Sequence, residues 1–322
     1  MQDSSEIAVI GAGVVGSAVA CALAREGHRV LLIDRDEPGR AGASFGNAGH
    51  IATELVEPLP SVKLLFTFWK ELFALGGVLD MPMRRWLALA PWSLAFAAAA
   101  FRRETNTRHL APLVRPSAAT LERWLKELGR PELFRRSGHY EIFLGASATE
   151  QARASSLAME AIEVATQLAP IDLVESTRSA ANAASAAGLW YPDTGYVLDP
   201  LEVTRAFAAG ATARGAQVLR ADVRALRPSG DSIEIAMGDA TRVVPSAIVC
   251  AGVWSAPLLV PFGLRAPLEA ASGYHVEMPG ETPRVDAPLL FANERIIVTP
   301  MIGRLRATSY MEFSGIDRKS VV

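Results

Sequence analysis

Cysteine is scarce in this 322-residue chain, which contains only Cys21 and Cys250. Both lie in apolar stretches, so we interpret them as small core residues, and the sequence predicts neither a disulfide framework nor a metal site. An excess of one charge is also lacking, because the net charge of −2 gives no electrostatic basis for nucleic-acid binding. Residues 1–6 are polar and acidic, unlike a signal peptide. This composition favours a cytoplasmic location.

The sequence has no apolar run long enough to predict a membrane-spanning helix, which needs about 20 residues. Its most apolar segment, residues 86–101, is shorter, contains Pro91 and has a pair of arginines on either side. Residues 64–73 form a second apolar pattern with helical spacing. Two interpretations are open: a helix pair in the core of a second domain, which we favour, or a helix lying in the membrane interface.

Residues 7–34 have the pattern of a βαβ unit. The apolar runs 7–10 and 30–33 predict two buried parallel strands, and the residues between them have the spacing of an amphipathic helix. Glycines 11, 13 and 16 follow the first strand in the GxGxxG arrangement, and Asp34 ends the second strand. The pattern therefore predicts an α/β fold with a Rossmann-like dinucleotide-binding domain.

The glycines of this motif have separate physical roles. Gly11 permits a tight turn, Gly13 lets a pyrophosphate approach the backbone, and Gly16 allows close packing of helix and strand. The helix N-terminus, which includes Val14 and Val15, offers free N–H groups to phosphates. The Asp34 carboxylate is predicted to accept ribose hydroxyls and to repel a 2′-phosphate, which argues against NADP. The motif alone does not separate FAD from NAD.

A second stretch of small residues, 41–50, follows the βαβ unit. Small residues let a backbone approach a flat ligand, and Ser44 and Asn47 carry polar groups suited to the rim of a flavin ring. The alternative is a flexible surface loop.

The GxGxxG unit followed by Ala-Ser-Phe-Gly-Asn-Ala-Gly at 43–49 resembles the amino-acid-oxidising FAD family. That family includes D-amino-acid dehydrogenases, glycine oxidase and sarcosine-type oxidases, and the dehydrogenase branch is the most similar. Residues 247–255 resemble the family's second cofactor segment, a strand and turn over the ribose and pyrophosphate. The resemblance implies FAD as cofactor and a second, α+β substrate domain built on an antiparallel sheet.

The resemblance also implies a discontinuous domain arrangement. The FAD-binding domain would comprise residues 1–60 and 196–262, and the substrate domain residues 61–195 and 263–316. Within the first, four short apolar runs beginning at residues 218, 223, 232 and 242 predict strands of a meander. Within the second, residues 296–300 and 305–308 predict a hairpin.

The expected cofactor-binding residues combine the motif glycines with the positions that the resemblance adds, among them the Val223 backbone at the adenine. The full set is Gly11, Gly13, Val14, Val15, Gly16, Asp34, Arg35, Ser44, Asn47, Ala48, Gly49, Val223, Ala251, Gly252 and Trp254. Candidate catalytic residues are His50, Tyr274, His275 and Arg304. Arg304 and its neighbour Arg306 are placed to meet a substrate carboxylate, although hairpin arginines are more often solvated charges.

The activity implied by the resemblance is oxidative deamination of a small amino acid, most of all a D-amino acid. A hydride passes to flavin N5, and the imine hydrolyses to a 2-oxo acid and ammonia, so no acid–base side chain is obligatory. The dehydrogenase branch passes electrons to membrane quinone, which implies contact with the inner membrane surface. The alternatives are an NAD-dependent dehydrogenase and an inactive, truncated fragment of the flavoenzyme.

The last part of the sequence departs from the family pattern. No segment matches the family's return to the FAD domain, which supplies an arginine for the substrate carboxylate. The final residues, 317–322, equal the translation of a common sequencing-adapter sequence. We therefore expect a truncated reading frame with a six-residue non-native tail, which resequencing of unfragmented DNA would test.

Overall fold

A computed structural model describes residues 6–281 and 285–316 of the chain. The predicted non-native tail, residues 317–322, lies outside the described residues. The α-helices of the described ranges are α1 (Val14–Arg25), α2 (Ala43–Gly46), α3 (Val62–Thr67), α4 (Trp86–Ala100), α5 (Arg103–Val114), α6 (Ser117–Glu127), α7 (Ala148–Glu160), α8 (Ile171–Ala180), α9 (Pro200–Thr212) and α10 (Ser255–Leu259).

The strands in the same ranges are β1 (Ile7–Ile10), β2 (Val30–Asp34), β3 (His50–Ile51), β4 (Leu79–Asp80), β5 (Phe134–Arg135), β6 (His139–Leu144), β7 (Gln167–Leu168), β8 (Ala186–Tyr191), β9 (Gly195–Val197), β10 (Gln217–Arg220), β11 (Val223–Ser229), β12 (Ser232–Met237), β13 (Ala240–Val244), β14 (Ser246–Val249), β15 (Ser272–Pro279), β16 (Leu289–Phe291), β17 (Ile296–Met301) and β18 (Arg304–Glu312).

The predicted βαβ unit forms the centre of a four-stranded sheet in the order β10-β2-β1-β14, in which every pair is parallel. Alternate side chains of β1 and β2 enter two different cores. Val9 and Leu32 pack with residues of α1 and α9, whereas Ala8 and Ile33 pack with residues of β11 and β12. Because both faces of this sheet are buried, successive residues of its strands are apolar, which explains the continuous apolar runs in the sequence. The predicted α/β fold class is confirmed.

Three strands of the predicted four-stranded meander are present in one antiparallel sheet, and the fourth belongs to a different sheet. β11, β12 and β13 form an antiparallel sheet in that order, but β10 lies beside β2 in the parallel sheet. The physical reason is the preceding helix, α9, because a helical crossover is the connection that brings a later strand parallel to an earlier one. Strand propensity alone carries no information about which sheet a strand joins.

A second, mainly antiparallel sheet of eight strands has the order β15-β18-β17-β16-β6-β8-β7, with β4 paired to β18. Two of its pairs, β16 with β6 and β18 with β4, are parallel. The predicted hairpin is present as β17 and β18, joined at Gly303, whose φ of +69° suits a tight turn. The predicted second α+β region on an antiparallel sheet is thus confirmed, and the domain boundaries stay a prediction.

A small antiparallel sheet, β3-β9-β5, connects the loop after β2 to later parts of the chain. His50 pairs with Tyr196, and Phe134 pairs with Val197. The Val197 amide also donates to the Gly49 carbonyl at 2.8 Å. This sheet fixes the position of His50.

Helix α4 presents much of its apolar surface to the outside. Leu89 and Ala100 are buried, and the Trp92 ring packs 5.2 Å from that of Phe313, but Leu87 is 93% exposed. The favoured interpretation as a core helix therefore holds for the face that carries Leu89, Trp92 and Ala100 and is wrong for the face that carries Trp86, Leu87 and Leu94. In the two described ranges, no helix has the length and apolar content to cross a bilayer.

Candidate functional site

A cavity of about 760 Å³ lies at the carboxyl ends of β1, β2 and β14. Ligands of open parallel sheets bind at this edge. Twelve of the fifteen expected cofactor-binding residues line the cavity: Gly11, Gly13, Val14, Val15, Asp34, Arg35, Ser44, Asn47, Val223, Ala251, Gly252 and Trp254. Gly16, Ala48 and Gly49 are not among the lining residues, whereas the unpredicted Asp222 and Arg224 are.

The glycine turn after β1 has no room for larger side chains. Gly11 has a φ of +102°, and a Cβ there would lie 2.5 Å from the Cys250 carbonyl oxygen. A Cβ on Gly16 would lie 1.8 Å from the Gly11 carbonyl oxygen, and one on Gly13 would lie 3.0 Å from Ser44 Oγ. Gly16 therefore acts from behind the cavity by letting α1 begin close to the turn. The result is an exposed backbone cradle at a helix N-terminus, the arrangement that suits a pyrophosphate.

The Asp34 carboxylate stabilises this glycine turn by accepting backbone hydrogen bonds. Its Oδ2 accepts the Ala12 amide at 2.6 Å, and its Oδ1 accepts the Asp36 amide at 3.0 Å. A carboxylate has about four lone-pair sites, so these two hydrogen bonds leave about two acceptor positions of Asp34 unused. The end of β2 is thereby tied to the glycine turn of β1.

The second small-residue stretch is folded onto α1 instead of forming a flexible loop. Ser44 Oγ accepts the Val14 amide at 2.9 Å, in the first turn of α1. The Asn47 side chain donates to the Ala43 carbonyl at 3.1 Å and the Ser44 carbonyl at 3.2 Å, and it accepts the Gly49 amide at 2.8 Å. In these hydrogen bonds the Ser44 and Asn47 side chains hold the loop in its folded shape. From the sequence, the same side chains were expected to contact the rim of a flavin ring.

Arg306 connects the same loop to the large sheet. Its guanidinium donates to the Asn47 carbonyl at 2.7 Å and the Phe45 carbonyl at 3.2 Å. It also donates to Glu277 Oε1 at 2.5 Å and 3.1 Å. Arg306 is 1% exposed, so it is an internal anchor, not the solvated hairpin arginine considered from the sequence.

The carboxylate partner of Arg306 also holds Arg304. Burial raises the pKa of Glu277, but the neighbouring Arg306 and Arg304 guanidinium groups outweigh it and leave that pKa below its usual value. Arg304 pairs with Glu277 at 3.0 Å and with Asp199 at 3.1 Å. Both arginines expected near a substrate carboxylate therefore have acidic partners within the chain.

Tyr274 and His275 occupy different surroundings on β15. The Tyr274 hydroxyl donates to the Glu312 carboxylate, and the side chain is half exposed. The His275 imidazole lies against the loop, since a Cβ on Gly46 would be 2.9 Å from its Cε1 atom. Of these two catalytic candidates, His275 is the one in contact with the loop that borders the cavity.

The aromatic side of the cavity is formed by Trp254, which follows β14. The Arg35 guanidinium lies 4.3 Å from the centre of the Trp254 ring, a cation–π contact. The predicted strand, turn and helix start at 247–255 therefore meets the end of β2 across the cavity.

His50 lies away from the cavity, in a buried cluster with Glu54 and His139. The rings of His50 and His139 meet edge to face with centroids 4.5 Å apart. Burial lowers the pKa of His50 to about 4, and burial followed by the nearby His50 lowers that of His139 well below its usual value. Burial raises the pKa of Glu54 to about 7.

Sequence reasoning missed this cluster as a group. His50 and Glu54 stand four residues apart, which was a visible signal, but His139 is distant in sequence and no pattern links it to them. The pairing of β3 with β9 and the start of β6 bring the three side chains together.

The comparisons with known proteins identify the family to which this geometry belongs. The sequence matches the family described as FAD dependent oxidoreductase over residues 6–321. It is 31% identical over 337 residues to D-amino acid dehydrogenase 2 of Pseudomonas aeruginosa, with 98% of this chain and 76% of that relative covered.

The chain belongs to the FAD-dependent oxidoreductase family. Its cofactor is FAD, and the alternative of an NAD-dependent dehydrogenase is set aside. The oxidoreductase is also 28% identical over 331 residues to a D-amino-acid oxidase of Bradyrhizobium diazoefficiens, covering 98% of this chain and 76% of the relative.

Solved structures share the fold of this FAD-dependent oxidoreductase. Glycine oxidase from Geobacillus kaustophilus has a TM-score of 0.64 at 17% identity, covering 98% of this chain and 73% of that one. Iminodiacetate oxidase from Chelativorans has a TM-score of 0.64 at 21% identity, covering 97% and 74%. The overall fold of this chain is thus one that solved oxidase structures also have.

Proposed function

We propose that this FAD-dependent oxidoreductase oxidises the Cα–N bond of small amino acids, with D-amino acids as the preferred class. The observation that carries the proposal is the cavity in which the glycine turn of β1 meets the loop at 43–49. The names of two relatives, D-amino-acid oxidase and D-amino acid dehydrogenase, support the substrate class.

The residues that line the cavity fit FAD. The backbone of Gly11, Gly13 and Val15 would hold the pyrophosphate, because these residues line the cavity at the start of α1 and the two glycines carry no side chain. Asp34 would hold the adenosine ribose through its two free acceptor positions. The Val223 backbone would meet the adenine. When bound, FAD would supply the acceptor for the hydride that leaves the substrate Cα, and the resulting imine would hydrolyse in water to a 2-oxo acid and ammonia.

The protein's own contribution is to orient the reactants and fix the loop. Arg306 holds two loop carbonyls, and Asn47 closes the loop on itself, so the loop has little freedom to move. His275 packs on Gly46 from the side of the large sheet. A fixed loop reduces the entropy lost when substrate and cofactor are brought together. No side chain is assigned an obligatory proton transfer, because the substrate amine reacts in its neutral form.

The test is the colour of the purified chain and its reaction with single enantiomers. We expect FAD absorption bands at about 370 and 450 nm, which small D-amino acids bleach without oxygen faster than L-enantiomers, glycine and sarcosine do. A dye acceptor then measures turnover for the same panel. Faster bleaching by L-amino acids, glycine or sarcosine would contradict the substrate class, and a chain that takes up no FAD would contradict the residue assignments.

The exposed surface of α4 supports a contact with the membrane surface, through which electrons would reach quinone. Trp86, Leu87 and Leu94 are exposed there, and arginines flank the helix, as in helices that lie in the membrane interface. We expect Leu87→Glu to weaken binding to vesicles containing anionic lipid by about tenfold, since burying a leucine contributes about 1.5–3 kcal/mol. Co-sedimentation measures this binding.

The matched control for the vesicle experiment is Leu157→Glu on α7. Leu157 is 56% exposed but lies outside the α4 region, so its substitution should leave vesicle binding unchanged. Equal losses in the two variants, or no binding by the unmodified chain, would argue against an α4 membrane contact.

A further inference from the structure

The buried cluster of His50, Glu54 and His139 has the donor set of a metal centre. Each residue offers one ligand atom, and the three atoms lie within 4.8 Å of one another. We infer that these residues bind one divalent transition-metal ion of the zinc class, which ties the loop that follows β2 to the large sheet. Nothing in the FAD chemistry above uses this site.

The cluster contains buried polar atoms that lack partners. Glu54 Oε2 and His50 Nε2 are buried and have no hydrogen-bond partner among the described residues. The Glu54 side chain is 9% exposed and that of His139 1%. An unsatisfied buried polar atom costs about 1–3 kcal/mol, and a metal ion would satisfy several of them at once.

The hydrogen bonds around His139 orient its free nitrogen into the cluster. The Thr194 hydroxyl donates to the Tyr191 carbonyl at 3.1 Å, so its oxygen is left to accept the Nδ1–H of His139 at 3.0 Å. The network thereby assigns the proton to Nδ1 and the lone pair to Nε2. Metal-binding histidines have this arrangement, because an outer partner on one ring nitrogen fixes the tautomer and points the other at the ion.

The distances favour a shared ion over a direct hydrogen bond. His139 Nε2 and Glu54 Oε1 are 4.0 Å apart, which is too long for a hydrogen bond. Ligand atoms around tetrahedral zinc lie about 3.3–3.6 Å apart, given bond lengths of about 2.0–2.2 Å. Small side-chain movements therefore bring the three atoms to ligand distance. Stacking of the His139 ring on Tyr191, with centroids 4.4 Å apart, limits where that ring can go.

The ligand types select the class of ion. Two imidazole nitrogens and one carboxylate oxygen suit zinc and its transition-metal neighbours, whereas magnesium and calcium prefer sites made of oxygen alone. Three protein ligands leave a fourth position for water. The ligands come from β3, the segment after it and the first residue of β6. An ion there would join the folded loop to the large sheet.

The test uses the full FAD-loaded chain, without a histidine tag and after treatment with a chelator. We expect titration with ZnCl₂ to show one site per chain and to raise the melting temperature by a few degrees. Glu54→Gln and His139→Gln preserve side-chain size and are expected to weaken zinc binding at least about 100-fold, since loss of outer partners alone costs 10–100-fold. Co²⁺ in place of Zn²⁺ gives a visible absorption that reports the same site.

The controls separate this site from surface histidines. The double variant His28→Gln and His109→Gln removes two exposed histidines and should leave zinc binding unchanged. Thr194→Val keeps all three ligands and should weaken binding about tenfold, which keeps the test decisive if His139→Gln fails to fold. Absence of saturable zinc binding, or unchanged affinity in Glu54→Gln, would overturn the proposal.

Discussion

Replacing Gly16 with alanine is expected to destabilise the chain by about 3 kcal/mol and to weaken FAD binding by at least about 100-fold. A Cβ at this position would lie 1.8 Å from the Gly11 carbonyl oxygen and 3.2 Å from Cys250 Cβ. The backbone oxygen cannot rotate away, so α1 must shift from the turn that follows β1. The shift moves the amides at the helix N-terminus away from the position of the pyrophosphate.

The measurements for Gly16→Ala are urea unfolding and titration of the FAD-free chain with FAD. The matched control is Gly273→Ala in β15, because Gly273 has no atom within 4 Å of a Cβ and does not require a positive φ. The control should change both quantities very little. An unchanged FAD affinity in Gly16→Ala would show that the start of α1 does not set the position of the pyrophosphate.

The elements predicted most securely were those whose signal is local. The glycine spacing and Asp34 lie within one βαβ unit, so the strand, the turn and the helix follow from a single short stretch. The strand at 217–220 carried the same kind of local signal but joined a different sheet from the one expected. Strand pairing depends on a partner elsewhere in the chain, and a run of apolar residues does not encode that partner.

The site was predictable in its backbone and much less so in its polar side chains. Gly11, Gly13 and Gly252 line the cavity, and the absence of a Cβ that suggested them is a property of the residue itself, whereas Gly16, Ala48 and Gly49 are not among the lining residues. The bonds made by Ser44 and Asn47 depend on how the loop folds onto α1. The burial of Arg306 depends on contact between the loop and β18, which are far apart in sequence. Long-range contacts of this kind are decided by tertiary packing, which no local pattern encodes.

The second large effect on stability and FAD binding is expected at Arg306, whose guanidinium holds the loop at 43–49 against the large sheet. Replacing Arg306 with methionine is expected to destabilise the chain by about 2 kcal/mol and to weaken FAD binding about tenfold, because two loop carbonyls lose their buried donor. This loss of stability is at the low end for breaking a buried ion pair, because the Glu277 side chain is one-third exposed and retains its ion pair with Arg304. Unfolding in urea and FAD titration measure the two quantities.

Arg304→Met is the matched control for FAD affinity, since Arg304 pairs with Glu277 and Asp199 and its hydrogen bonds do not reach the loop. It should leave FAD affinity nearly unchanged, although the loss of two partly buried ion pairs should destabilise the chain by about 1–2 kcal/mol. A pH series adds an independent check. The pKa of Glu277 lies below its unfolded value, so its ion pairs contribute stability above the usual carboxyl range and lose it as the pH falls through the folded pKa. The stability difference between the unmodified chain and Arg306→Met should therefore narrow in acid; a constant difference would mean that the carbonyl contacts, and not the Glu277 pair, account for the anchor.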